Sequence, residues 1–195
     1  MKVVGLCGGS GAGKGTVCAI FKELGIHSID TDKLYHSLIS TDSECTKELV
    51  LAFGKEIYAN PGINRQALRS IVFSSEEKLK LLNEITHKHI LSSVRELIHE
   101  PMEAPAIIID APLLFESGFD KECDLTVCVI ADNDVRINRI MKRDNISYDV
   151  AKARIDSQIP NTELIKKCDY VIENNSSEDE LRKAIDELNK QLFNN

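Results

Sequence analysis

The chain carries no excess of positive charge: 24 lysines and arginines stand against 31 aspartates and glutamates, a formal net charge of −7. That balance argues against a broad nucleic-acid-binding surface, and any polyanionic ligand has to meet positive charge gathered locally. The six cysteines contain no C-x-x-C pair, and no histidine cluster has metal-ligand spacing, so nothing reads as a zinc site. Cys7, Cys18 and Cys128 sit inside apolar runs and read as buried, reduced thiols, which predicts a cytoplasmic setting. No stretch approaches the roughly 18 apolar residues that cross a bilayer, so no membrane partner is expected. The opening six residues are apolar apart from one lysine, but glycines and Lys14 soon interrupt them and no signal-peptide core follows. The guanine-reading pattern N-K-x-D and the switch pattern D-x-x-G are both missing. A GTP-driven switch protein is thereby disfavoured.

What remains is an ordinary globular composition, 43% hydrophobic and 28% charged over 195 residues, enough for one domain with an inserted subdomain. Two-residue and 3.6-residue periods alternate, which predicts βα units around a mostly parallel sheet. The strands are expected at 2–7, 26–30, 106–110, 125–130 and 169–173. The first, third and fourth are continuous apolar runs, as strands covered on both faces should be. Helices are expected at 14–24, 132–143 and 176–191, the last with Leu181, Ile185 and Leu188 at helical spacing behind Ser176 or Ser177 as N-cap. Between the second and third strands about 75 residues show no strand pattern. There the stretch 74–100 has an apolar helical face of Leu79, Leu82, Ile85, Val94, Leu97 and Ile98, and Asn60–Gly62 reads as a turn.

The motif that carries chemistry is Gly8–Thr16, GGSGAGKGT. A glycine-rich turn between a buried strand and a helix lets backbone N–H groups wrap a phosphate at the positive end of the helix dipole. Gly8, Gly11 and Gly13 supply the backbone freedom, and Lys14 reaches the outer phosphates. The usual hydroxyl after the lysine is replaced by Gly15, with Thr16 one place late; Thr16 either turns toward phosphate and metal or packs in the first helical turn. The second strand ends in Asp30-Thr31-Asp32, at the sheet end where ligands of open α/β folds bind. Asp32 reads as the carboxylate that takes a hydrogen bond or proton from an attacking hydroxyl, whereas Asp30 serves equally well as a helix N-cap. Asp110 closes the apolar run Ala106–Asp110 like a Walker-B aspartate, holding Mg²⁺ directly or through water. From Arg136 to Arg154 there are six basic and two acidic residues, and Arg139 and Arg143, four apart, are expected on one helix face of a phosphate-contacting lid.

Taken together, these residues resemble the dephospho-CoA kinase family. The resemblance runs over nearly the whole chain: GLCGGSGAGKGTV (5–17), LGIHSIDTDKL (24–34), INRQALRSIVF (63–73), LNEITH (82–87), APLLFESG (111–118), RINRIMKRD (136–144), Arg154, Gln158 and DYVIENNSS (169–177). PLLFESG combined with the D-x-D strand end is its most specific part. The resemblance implies a P-loop kinase-like α/β fold, three-layer α/β/α with a five-stranded mostly parallel sheet. The core would be about 1–32, 104–134 and 161–195, with a helical acceptor-binding insertion at about 33–103 and a lid at about 135–160. It implies transfer of the ATP γ-phosphoryl group to the ribose 3′-hydroxyl of dephospho-CoA, with Mg²⁺ and without an obligate protein partner. Gly11, Ala12, Gly13, Lys14, Gly15 and Thr16 match the family's nucleotide site, and Asn174 and Asn175 its loop by the adenine. Asp32 matches the catalytic base, and Lys14, Arg139 and Arg143 fall on its phosphate-stabilising positions. Arg65, His87, Leu113, Leu114, Phe115 and Glu116 match acceptor-binding positions. Three positions depart from the usual pattern: Gly15 for serine, His36 for arginine and Lys88 for proline. A nucleoside monophosphate kinase is the rival reading, because G-K-G-T is common in that group.

Overall fold

The computed structural model describes residues 1–73, 75–100 and 103–193. Ser74, the first residue of the expected long helix, lies outside them, as do residues 101, 102, 194 and 195 of the expected insertion and core. Five strands, β1 (Lys2–Cys7), β2 (His27–Asp30), β3 (Ala106–Asp110), β4 (Leu125–Ile130) and β5 (Tyr170–Glu173), form one sheet in the order β2-β3-β1-β4-β5. β1 lies between β3 and β4 and runs parallel to both, and β4 pairs parallel with β5. The expected strand positions hold within one residue at their starts.

The chain divides into two compact units, residues 1–28 with 102–195, and residues 29–101. In the first, α1 (Lys14–Glu23) and α9 (Glu178–Phe193) cover one face of the sheet. Val17, Ile20 and Phe21 of α1 and Leu181, Ile185 and Leu188 of α9 join Val4, Leu6, Val127, Val129 and Ile172 of the strands in one buried cluster. The alternate strand residues point the other way. There Gly5 faces Leu114 and Cys123 so closely that an added Cβ would lie 2.9 Å from Leu114 Cδ2 and 2.8 Å from Cys123 Sγ. With α8 (Asn161–Lys167) against β4 on that second face, the sheet is covered on both sides, a three-layer α/β/α arrangement. Helices α6 (Asn133–Asp144) and α7 (Tyr148–Asp156) pack against each other through Ile137, Ile140, Ala151 and Ile155.

The second unit is helical: α2 (Thr31–Ile39), α3 (Glu44–Phe53), α4 (Arg65–Val72) and α5 (Glu76–Ile98). Each begins at a side-chain N-cap that accepts a backbone hydrogen bond, at Asp30, Ser43, Asn64 and Ser75 respectively. Its core gathers Ile39, Cys45, Leu49, Phe53, Ile57, Ile63, Leu68, Val72 and Ile85. The expected turn at 60–62 is there, bracketed by the antiparallel bridge between Tyr58 and Ile63. Leu79 of α5 is exposed, so the apolar face read from the sequence is only partly buried.

Candidate active site

In the first unit β1 ends at Cys7 and α1 begins at Lys14, with the glycine-rich loop between them. Gly11 and Gly13 take φ values of +78° and +99°, where a side chain is strained, and both are also sterically enclosed. An added Cβ would lie 2.6 Å from the Arg136 carbonyl oxygen at Gly11 and 2.2 Å from Asn174 Nδ2 at Gly13. The first turn of α1 contains no acidic residue and its N-cap, Gly13, makes no side-chain cap. Backbone N–H groups of a first turn have no preceding helical carbonyl, so this helix start presents positive potential that no residue of its own first turn neutralises. Lys14 Nζ donates to the Gly8 carbonyl at 3.1 Å, curled over the loop it belongs to. Gly15 and Thr16 are exposed, and a Cβ at Gly15 would have open space around it.

Arg139 and Asn174 hold this loop from outside. Arg139 Nη1 donates to the carbonyls of Asn174 at 2.9 Å and Gly11 at 3.4 Å, and its Nη2 donates to Asn174 Oδ1 at 3.3 Å. Asn174 is buried and its Nδ2 donates to the Ala12 carbonyl at 2.8 Å. Asn174 is therefore tied into the loop's own framework, while Asn175 is exposed and accepts from the Asp132 N–H at 2.7 Å. Arg143, expected to share a task with Arg139, is exposed and turned to Asp144, with 2.7 and 2.9 Å contacts to the carboxylate. Arg154 binds the same carboxylate, and the two guanidinium groups hold the Asp144 pKa well below the usual range.

Sequence reasoning missed the most buried cation. Arg136 is 2% exposed; its Nε donates to the Ser10 carbonyl at 2.9 Å and its Nη2 to Gln158 Oε1 at 2.7 Å. Gln158 also accepts from the Ser10 N–H at 3.0 Å and donates to Ser10 Oγ at 3.1 Å. Three hydrogen bonds thus engage Ser10, from Arg136 of α6 and from Gln158 beyond α7, and a fourth joins those two side chains. Nothing in local periodicity distinguishes this arginine from its exposed neighbours.

Asp110 ends β3 in register with Leu6 of β1 and accepts from Cys18 Sγ of α1 at 3.7 Å. Burial first, then the Asp110 charge, pushes the Cys18 thiol up to about 12, against the lowering influence of Lys14. The Cys18 thiol therefore feels both the carboxylate and the lysine at this end of the sheet. Beyond Asp110 the chain turns, exposing Leu113 and Glu116 and half-burying Phe115 under Lys167, whose Nζ lies 5.3 Å from the ring centroid. Leu114 differs from its neighbours: it is fully buried against Gly5, a packing position beneath the turn, not on its surface.

In the second unit Asp30 is the N-cap of α2, accepting from the Lys33 N–H at 3.0 Å and pairing with its ammonium at 3.0 Å. Burial alone would raise its pKa, but these Lys33 contacts outweigh it and the net shift is downward. Asp32, in the first turn of α2, is exposed and forms no ion pair with any described residue. Arg65, exposed at the start of α4, is close enough to Tyr35 for its charge to offset part of the upward shift that burial gives the phenol. His36 sits beside Tyr35, ring centroids 5.5 Å apart. His87 is half-buried on α5, and burial lowers its pKa. Lys88, 2.8 Å from Glu48, shares that carboxylate with His89 at 2.7 Å.

Among the described residues no group of three or more His, Cys, Asp and Glu side chains could hold a metal by itself, and no helix is long and apolar enough to cross a membrane. The family profile of dephospho-CoA kinase (CoaE) matches residues 2–180. The chain belongs to the dephospho-CoA kinase family. It is 42% identical over 185 residues to a Fusobacterium nucleatum dephospho-CoA kinase, covering 94% of this chain and 95% of that one. A Thermus thermophilus crystal structure superposes with a TM-score of 0.83 at 30% identity, covering 98% of each chain. A dephospho-CoA kinase from Campylobacter jejuni gives a TM-score of 0.73 at 27% identity, over 98% of this chain and 97% of that one. Membership of this family makes the chain a nucleotide-binding P-loop enzyme, a kinase, and favours it over the nucleoside monophosphate kinase reading.

Proposed function

We propose that the chain transfers the γ-phosphoryl group of ATP to the ribose 3′-hydroxyl of dephospho-CoA. The observation that carries this reading is the start of α1: a first turn without acidic residues, opened by Lys14 and entered through two left-handed glycines. Such a turn binds a polyphosphate through its amides and positive dipole end. Gly11 to Thr16 bind the phosphates, and Lys14 leaves the Gly8 carbonyl to follow the charge that spreads over the transferring group. Arg139 and Asn174 keep the loop curved, Arg143 joins from the lid, and Asn175 lies in the loop assigned to the adenine. Asp32 orients and deprotonates the acceptor hydroxyl; an exposed carboxylate without an ion pair suits that task. Arg65, His87, Leu113, Phe115 and Glu116 contact the acceptor, with Leu114 supporting the turn from below.

In this scheme residues 1–32, 104–134 and 161–195 are the core, 33–103 the acceptor-binding insertion and 135–160 the lid. The donor set fits a hard cation that keeps most of its water. Asp110 and, less directly, Thr16 would hold Mg²⁺, whose chemistry is to neutralise phosphate charge during transfer. Six free thiols support a reducing compartment, the cytoplasm. The scheme requires no protein partner.

The test is a Mg-ATP turnover assay with dephospho-CoA beside AMP, CMP and pantothenate. Dephospho-CoA alone should be phosphorylated; turnover of a nucleoside monophosphate without it would overturn the reading. Asp32→Asn should lower kcat by about 10²–10⁴-fold, the span of general-base contributions, with ATP affinity kept. Full activity in that variant would remove Asp32 from the mechanism.

A further inference from the structure

Three of the six cysteines converge where the proposed transfer uses none of them. Cys7 ends β1 and is the register partner of Cys128 on β4, so both side chains leave the same face of the sheet. Cys168, the C-cap of α8, brings its Sγ to 3.5 Å from Cys7 Sγ and within hydrogen-bonding reach of Cys128. The three are unequal. Cys7 and Cys128 are buried, at 1% and 0% exposure, whereas Cys168 is partly open to solvent. Hydrogen bonding to Cys168 and then burial hold the protons on Cys7 and Cys128. Hydrogen bonding with Cys128 and Cys7 pulls the Cys168 pKa down, against burial and the Asp169 carboxylate. One partly accessible thiol thus sits against two buried ones.

We propose that Cys168 is a modification site for hydroperoxides, with Cys7 as the thiol that resolves it to a disulfide. The Cys168 thiolate attacks the terminal oxygen of R–O–O–H; the O–O bond breaks, the sulfur is oxidised by two electrons to S–OH, and R–O⁻ leaves and is protonated to the alcohol. Cys7 then gives up its proton and attacks the Cys168 sulfur; the S–O bond breaks, and hydroxide leaves with that proton as water. A disulfide needs about 2 Å between sulfurs, so the 3.5 Å pair closes by about 1.5 Å. Cys7 directly precedes Gly8, whose carbonyl receives Lys14 Nζ, so this closure pulls on the root of the phosphate loop. That consequence rests on the proposed phosphate role of the loop; the cross-link itself does not.

The test treats the reduced full-length chain with hydrogen peroxide, alkylates the remaining thiols and maps them by peptide mass spectrometry, with ATP binding followed by calorimetry. A Cys7–Cys168 linked peptide, two hydrogens lighter and reversed by dithiothreitol, should form while Cys45 stays reduced. ATP affinity should fall by about tenfold or more in parallel. Cys7→Ser should leave Cys168 as a sulfenic acid that dimedone traps, and Cys168→Ser should abolish both products. An unmodified Cys168, or a Cys128–Cys168 linkage in the wild type, would overturn the assignment. A Cys7–Cys168 linkage with unchanged ATP affinity would establish the site and refute its coupling to the loop. The mass readout needs no turnover, so failure of the kinase reading would be seen separately.

Discussion

Asn174→Ala separates a residue that touches nucleotide from one that builds the loop. The side chain is 6% exposed, donates to the Ala12 carbonyl at 2.8 Å and accepts from Arg139 at 3.3 Å. Truncation leaves the Ala12 carbonyl without this donor in a buried place, which costs about 1–3 kcal/mol. Arg139 is half-exposed and recovers water, so its loss adds little. Against a total stability of about 5–15 kcal/mol this is a large fraction. With about 2–4 °C of Tm per kcal/mol for a chain of this size, the nucleotide-free protein should melt about 2–12 °C lower. Asn175→Ala, at an exposed position, should stay within about 0.5 kcal/mol of the parent. Calorimetric melts without nucleotide read both variants. Gly13→Ala adds a second leg, because its Cβ would lie 2.2 Å from Asn174 Nδ2. In the Asn174→Ala background that clash is gone and only the left-handed backbone cost of about 1–2 kcal/mol is left. The double variant should therefore be more stable than the sum of the singles predicts. Equal melts for Asn174→Ala and the parent, with ATP affinity alone reduced, would refute the brace and return Asn174 to an adenine contact.

Gly15→Ser should raise stability by about 0.5 kcal/mol, since serine is the better helix former and the site has room. It should also lower the Mg²⁺ concentration needed for half-maximal turnover; a lower melting temperature and an unchanged Mg²⁺ requirement would contradict both expectations. Arg136→Lys replaces a planar fork by a point charge, and about 1–3 kcal/mol of stability and several-fold in KM for ATP should be lost, with kcat less affected. His87 has a folded pKa below its unfolded value, so the unfolded chain binds the proton more readily. Its contribution is to make stability fall as pH drops below the ordinary histidine pKa of about 6.5. Urea melts of His87→Gln over that range should show a flatter pH dependence than the parent.

Strand positions and the phosphate loop were legible because their signals are local. Covered parallel strands need apolar residues on both faces, which leaves runs such as Ala106–Ile109 readable without knowing their neighbours. A turn that demands left-handed backbone leaves glycines at 11 and 13. The N-cap of α2 belongs to the same class, with Asp30 acting within three residues of itself. Spacing misled where a partner from elsewhere decided the outcome. Arg139 and Arg143 are one helical turn apart, yet one holds Asn174 and the other Asp144. Leu114 sits among surface residues of a turn and is buried because β1 offers Gly5 beneath it.

The chain alone determined the parallel sheet, the loop that wraps phosphate, the helical stretch between β2 and β3 and the family. All of these follow from periodicity, backbone sterics and short motifs. Only the tertiary structure decided that Arg136 would be the buried cation closing on Ser10 across 126 positions. It alone turned Asn174 toward Ala12 across 162 positions and set Cys168 beside Cys7 across 161. Hydrogen bonds between residues so far apart depend on where the strands and helices finally pack, and no local pattern along the chain encodes that distance.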